Sequence, residues 1–188
     1  LPAERIAEGG WRPYERDPQS LVRYWAIPGT EGAMHRLGGL EKDCVTGAIS
    51  TDPLNHEKMV MTRREKVARI ANDIPMLETL FDTPDADTII LGWGGTYGHI
   101  RTAAQKLNDA GQKVAFTHFR YINPLPKNTG EVLARYKHVV VAELNLGQFA
   151  DFLQAKFPNV LIRRINKVQG QPFLVQELVD GVTKIMEE

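Results

Sequence analysis

The sequence predicts a three-layer α/β/α domain on a mostly parallel sheet, preceded by an irregular packed segment and one helix. Three observations lead there. From residue 88 onward, short β-rich apolar runs alternate with helical stretches. The runs are nearly continuous in apolar residues, as strands covered on both faces must be. The stretches between them are long enough for the crossover helices that parallel pairing requires.

Residues 1–54 carry little periodicity. Pro13, Pro18, Pro28 and Pro53 recur with Gly9, Gly10, Gly29, Gly32, Gly38 and Gly39, which marks turns. Trp11, Tyr14, Leu21, Val22, Tyr24, Trp25 and Ile27 are too apolar for a free linker, so the segment is expected to be extended and packed over a neighbouring surface. A short strand is expected near Val45–Ser50. Asp52-Pro53 then reads as a helix start, with Asp52 as N-cap and Pro53 at the first helical position. Val60, Val67, Ile70, Ala71 and Ile74 fall on one face of that helix. Arg63, Arg64, Lys66 and Arg69 lie on the others, where a solvated face is the expected role. Pro75 ends the helix, since the residue before a proline is disfavoured in the α region.

Strands are predicted at Thr88–Trp93, Lys113–His118, His138–Leu144 and Val160–Ile165. The helix pattern is clearest at Gly98–Ala110, where Ile100, Ala103, Ala104, Leu107 and Ala110 form one stripe before Gly111. Asn128–Tyr136, Leu146–Phe157 and Phe173–Met186 complete the helices. The chain thus divides into an interdomain or interface segment, 1–54, and an α/β domain, 55–188, packed as one unit.

Composition narrows the function. The 188 residues are 43% hydrophobic and 24% charged, with 23 basic and 23 acidic groups. No basic face is forced, so nucleic acid and anionic membrane are not expected partners. No apolar run approaches the ~20 residues that span a bilayer. A single cysteine, Cys44, excludes a disulfide framework, a CxxC pair and a cysteine-ligated cluster within this chain. A lone thiol fits a reducing compartment, so the cytoplasm is expected. The chain opens Leu-Pro-Ala-Glu without an initiator Met, as a piece of a longer polypeptide would.

Right-handed crossovers bring the strand C-termini to one edge, where ligands of open α/β sheets bind. The candidate residues there are Gly94, Gly95, Thr96 and Tyr97 after the first strand, and Arg120 after the second. Asn145 and Gln148 follow the third, and Asn166 and Lys167 the fourth. The loop Gly92–Gly98 reads G-x-G-G-x-x-G, out of register with a dinucleotide fingerprint. The second strand ends in His118, Phe119 and Arg120 without a ribose-binding carboxylate. A tight strand-to-helix turn accounts for the glycines, with an anion site as the alternative. No histidine spacing suggests a metal, and Glu143, at a strand end, is expected to be satisfied by backbone N–H groups.

Longer motifs go further. Pro13-Tyr14-Glu15-Arg16-Asp17, Trp25-Ala26-Ile27-Pro28-Gly29-Thr30 and His35-Arg36-Leu37-Gly38-Gly39-Leu40-Glu41-Lys42 follow one another in order. Thr46-Gly47, Asp52-Pro53, Asn55-His56-Glu57 and Arg63-Arg64-Glu65-Lys66-Val67 come next. Then come Leu91–Gly98, Glu143-Leu144-Asn145-Leu146-Gly147-Gln148 and Asn166-Lys167-Val168-Gln169-Gly170. Over nearly its whole length the chain resembles the C-terminal part of the alpha subunit of two-subunit 2-oxoacid:ferredoxin oxidoreductases, closest to the 2-oxoglutarate enzymes.

The resemblance implies a transketolase C-terminal-like mixed sheet of about five strands, the fifth and antiparallel one supplied by the first region. It implies a structural and assembly domain of a complex that oxidises 2-oxoglutarate to succinyl-CoA. The full complex would use thiamine diphosphate, Mg²⁺, an iron–sulfur cluster and coenzyme A. Its implied partners are the beta subunit, the rest of the alpha subunit, a second copy in a homo-oligomer, and ferredoxin through the complex. The Gly-Asp-Gly pattern that binds the diphosphate is absent, and no catalytic, cofactor or metal ligand transfers to this chain. It is therefore expected to be inactive alone. The alternative is an independent nucleotide- or anion-binding module using the Gly92–Gly98 loop.

Overall fold

The computed structural model describes residues 10–188. Contacts divide the chain into two compact units, one through Asp73 and one of Ile74–Glu188.

In the first unit, helix α1 (Pro53–Arg69) starts where the sequence places it, with the Asp52 carboxylate accepting the Leu54 N–H at 3.0 Å. A short 3₁₀ turn, Ile70–Asn72, ends it before Pro75. The expected apolar stripe does not find cover among the described residues: Val60, Val67 and Ile70 are exposed, and Asn55 and Met59 are the buried positions. Polar groups dock the helix instead. Asn55 Oδ1 accepts the Cys44 N–H and its Nδ2 donates to the Lys42 carbonyl. Arg63 forks onto both oxygens of Glu41 at 3.1 Å, and Arg69 donates to the carbonyls of Pro18 and Gln19. Arg63 and Arg69 are thus tethers and not a solvated face. These bonds put α1 with residues 10–52, so the contact boundary falls after Asp73, beyond the one drawn after residue 54.

Val45–Ser50 is a turn and its return, not a strand. Asp43 Oδ1 accepts the N–H groups of Val45 and Thr46 and the Thr46 hydroxyl, and Gly47 follows at φ +74°. Such side-chain bonds offer the backbone a local alternative to a ladder. One antiparallel bridge, Lys42 to Ile49, is what remains of sheet. The Lys42 side chain is 2% exposed, and its ammonium donates to the Gly39 carbonyl at 2.8 Å.

The second unit carries the sheet. Strands β1 (Thr88–Trp93), β2 (Val114–Phe119), β3 (His138–Glu143) and β4 (Ile162–Asn166) are all parallel, in the order β2-β1-β3-β4. Helices α2 (Tyr97–Asp109) and α5 (Val175–Met186) cover one face; α3 (Thr129–Ala134) and α4 (Gln148–Lys156) lie on the other. The period-2 alternation of β1 divides the core. Ile90 packs with Ile100, Leu107 and Leu178, while Ile89 and Leu91 pack with Leu133 and Leu153. The three layers match the expectation, with four strands where about five were expected. The antiparallel neighbour comes from within this unit and not from the first region. Leu80 exchanges both backbone hydrogen bonds with Phe116 of β2, at 2.8 and 2.9 Å. One residue cannot make a ladder, so the fifth position is a bridge.

Among the described residues no helix is long and apolar enough to cross a membrane.

Candidate functional site

The strand C-termini meet at one edge, and the candidate residues there divide by what their side chains already hold. Gly92 is the close-packed glycine of the loop: a Cβ there would meet Ile100 Cδ1 at 2.3 Å and Thr96 Oγ1 at 2.7 Å. Gly94 takes φ +60°, the left-handed turn that glycine alone adopts cheaply, and Gly95 has open space around it. Thr96 is buried, with its hydroxyl spent on the Trp93 carbonyl at 2.9 Å.

On β3 and β4 the polar residues are committed to structure. Glu143 is 1% exposed and its carboxylate accepts four hydrogen bonds. Trp93 Nε1 donates at 3.2 Å, Asn145 Nδ2 and the Phe149 N–H at 3.0 Å, and the Ala150 N–H at 2.9 Å. The carboxylate thereby satisfies two orphan donors in the first turn of α4 and ties β1 to β3. Asn145 Oδ1 accepts the N–H groups of Gly147 and Gln148, which starts α4 at Gln148 and not at Leu146. Lys167 donates to both oxygens of Glu177, which also accepts the Leu174 N–H at the start of α5. Asn166 stays exposed beside Gly147.

Three cavities open in this unit, and two of them adjoin this edge. One, of 320 Å³, is lined by Trp93, Ile122, Asn123, Gln148, Phe149 and Phe152. The other, of 280 Å³, lies along the outer edge of β2, where Leu80, Tyr97, Phe116, His118, Arg120 and Tyr121 contribute to its wall. The edge is accessible here because the Leu80 bridge covers β2 at one residue only. Phe116 and His118 project from the same face of β2, two residues apart, and the Tyr97 ring packs against both at centroid distances of 5.5 and 5.2 Å. His118 Nδ1 is buried without a hydrogen-bond partner. Burial holds the imidazole below its usual pKa; the Gly94 backbone opposes this and Arg120 reinforces it. The ring is therefore neutral at neutral pH.

Of the residues proposed from sequence, the structure gathers Tyr97 and Arg120 at this cavity, with Gly94 beside His118, and it commits Asn145 to the start of α4 and Lys167 to an ion pair with Glu177. His118 and Tyr121 join them without having been selected. Period-2 alternation along Phe116, His118 and Arg120 was the available signal. Among the described residues, no three His, Cys, Asp or Glu side chains converge to hold a metal ion. Among the described residues, the donors at this edge do not fit a metal-bound diphosphate.

Residues 86–178 match the family described as "Pyruvate:ferredoxin oxidoreductase core domain II". The fold and this match define a domain of the 2-oxoacid:ferredoxin oxidoreductases, and the chain belongs to that family. Within it, the chain is similar to alpha subunits. It is 46% identical over 168 residues to the 2-oxoglutarate oxidoreductase subunit KorA of Mycobacterium tuberculosis, covering 89% of this chain and 25% of that protein. It is 31% identical over 161 residues to the 2-oxoacid:ferredoxin oxidoreductase 1 subunit alpha of Aeropyrum pernix, covering 82% and 25%. A solved 2-oxoglutarate:ferredoxin oxidoreductase from Magnetococcus marinus, with 2-oxoglutarate, coenzyme A and succinyl-CoA bound, matches with a TM-score of 0.84. That match spans 95% of this chain and 31% of the solved chain at 30% identity. The chain spans about a quarter of the length of the curated relatives it matches.

Proposed function

We propose that this chain is the structural and assembly domain of the alpha subunit of a thiamine-diphosphate-dependent 2-oxoglutarate:ferredoxin oxidoreductase. The observation that carries the reading is its similarity, at 46% identity over 168 residues, to a 2-oxoglutarate oxidoreductase subunit. In this reading the complex oxidatively decarboxylates 2-oxoglutarate to succinyl-CoA and passes electrons to ferredoxin. Thiamine diphosphate, Mg²⁺, the iron–sulfur cluster and coenzyme A belong to the full assembly. The partners are the beta subunit, the remainder of the alpha subunit and a second copy, and the compartment is the cytoplasm.

Residues 1–54 serve as an interface segment. Trp25, Ile27, Met34, Leu37 and Leu40 are exposed, up to 97% at Met34, and these apolar side chains need a covering surface. The α/β domain supports the assembly without supplying a cofactor ligand. Its buried carboxylate, Glu143, is saturated by structural donors.

A thermal melt with millimolar thiamine diphosphate and Mg²⁺ tests this role. Binding at 100 times Kd would add ~2.7 kcal/mol. At roughly 2–4 °C per kcal/mol that is a shift of about 5–10 °C. The chain alone is expected to show none. A saturable shift of several degrees would place a diphosphate site in this domain and end the architectural reading.

A further inference from the structure

We propose that the 280 Å³ cavity on the outer edge of β2 binds a small organic oxyanion, with Arg120 meeting its carboxylate or phosphate group and Tyr97 and Tyr121 flanking its organic part. The inference concerns this cavity's own residues and stands independently of the reaction assigned above.

The cavity is built for more than water. Its volume is near the ~300 Å³ lower end of ligand pockets, and far above the ~30 Å³ share of one water molecule. Two kinds of unspent polar group face it. Arg120 makes no hydrogen bond or ion pair among the described residues, although a guanidinium presents five donors in a planar fork that matches a carboxylate or phosphate edge. His118 Nδ1 is buried with no partner, and a buried polar atom without one calls for a ligand or an ordered water. The apolar part of the wall joins three aromatic rings to aliphatic side chains such as Met76 and Leu80. Phe116 forms the floor, the Tyr97 ring stands against it, and Tyr121 is 44% exposed at the rim. A flat organic group fits such a wall.

Arg120, the single cation of the cavity, favours an anion. The titratable groups facing the space are Arg120, His118, Tyr97, Tyr121 and Glu78. Glu78 contributes the lone carboxylate, and Arg120 already presses on the imidazole as a like charge would. A bound negative charge relieves that pressure, whereas a cation would add to it.

Histidine-selective NMR on the full chain tests the proposal, with the His118 signal assigned by a His118→Gln variant. The probes are benzoate, phenyl phosphate, inorganic phosphate and the neutral isostere benzamide. Benzoate or phenyl phosphate is expected to shift the His118 signal saturably and to raise its titration midpoint; the better of the two identifies a carboxylate or a phosphate ester as the natural head group. Inorganic phosphate should bind at least tenfold more weakly than phenyl phosphate, and benzamide should leave the signal unmoved. Arg120→Gln should weaken the organic anions at least tenfold while leaving the melting temperature unchanged. The proposal is overturned if neither organic anion shifts His118 at 10 mM, if benzamide binds equally, if inorganic phosphate matches phenyl phosphate, or if Arg120→Gln binds as the parent does.

Discussion

Replacing Glu143 by Ala should destabilise the sheet more than any surface change at the same edge. The carboxylate is 1% exposed and accepts four hydrogen bonds, two of them from the buried backbone N–H groups of Phe149 and Ala150. Alanine removes the acceptor and leaves those two donors buried in α4 with nothing to bond. At ~1–3 kcal/mol for each unsatisfied buried group, the loss is roughly 2–6 kcal/mol, centred near ~4. For a chain of this size the melting temperature should fall by roughly 8–16 °C, at about 2–4 °C per kcal/mol. Glu143→Gln keeps the shape and one acceptor oxygen, and should lose about half as much. Leu146→Ala, at an exposed position three residues on, should stay within about 0.5 kcal/mol of the parent. Scanning calorimetry or urea unfolding reads all three. If Glu143→Ala melts within about 2 °C of the parent, the clasp does not hold β1, β3 and α4 together.

Three further substitutions and a pH series test the glycine loop and the α1 tether. Gly92→Ala should cost ~1–3 kcal/mol because its Cβ would lie 2.3 Å from Ile100 Cδ1, while Gly95→Ala, with open space around it, should be near neutral; urea midpoints compare them. Arg63 foremost, with His56 and the Lys42 N–H, holds the Glu41 carboxyl down to about 2 from its ordinary 4.5 against the upward push of burial. The sign follows from linkage. A depressed carboxyl stabilises the fold above its unfolded pKa, so this contribution should be lost as pH falls from about 4.5 towards about 2. Protection factors of the α1 amides, corrected for intrinsic exchange, should fall over that range, and Arg63→Met should flatten the dependence; an unchanged pH profile in the variant would contradict the tether.

The sheet was legible in the sequence because burial on both faces leaves a plain signature. β1 begins and ends at the expected residues, Thr88 and Trp93. β4 starts at Ile162 and not Val160, since the Val160 N–H bonds back to Phe157 and its carbonyl accepts from Gln154 in a local turn. The first region was not legible. Its order rests on side chains bonding nearby backbone, as Asp17 does with Ser20 and Asp43 with Thr46, and such bonds carry no period. The stripe on α1 misled for a related reason: Val60 and Val67 mark an apolar face, yet Asn55, Arg63 and Arg69 make the attachments. At the sheet edge, residue type alone could not separate an amide that caps a helix, Asn145, from a guanidinium left unspent at a cavity, Arg120.

The proposed assignment turns on substrate kinetics of the assembly, with a beta subunit, in which this chain is proposed to act. With thiamine diphosphate, Mg²⁺ and coenzyme A supplied, reduction of ferredoxin or a viologen dye is followed for 2-oxoglutarate, pyruvate and a branched-chain 2-oxoacid. Turnover is expected to require coenzyme A and to show its highest kcat/KM with 2-oxoglutarate. An assembly that oxidises none of the three acids, or that handles 2-oxoglutarate with the lowest kcat/KM of the set, would contradict it.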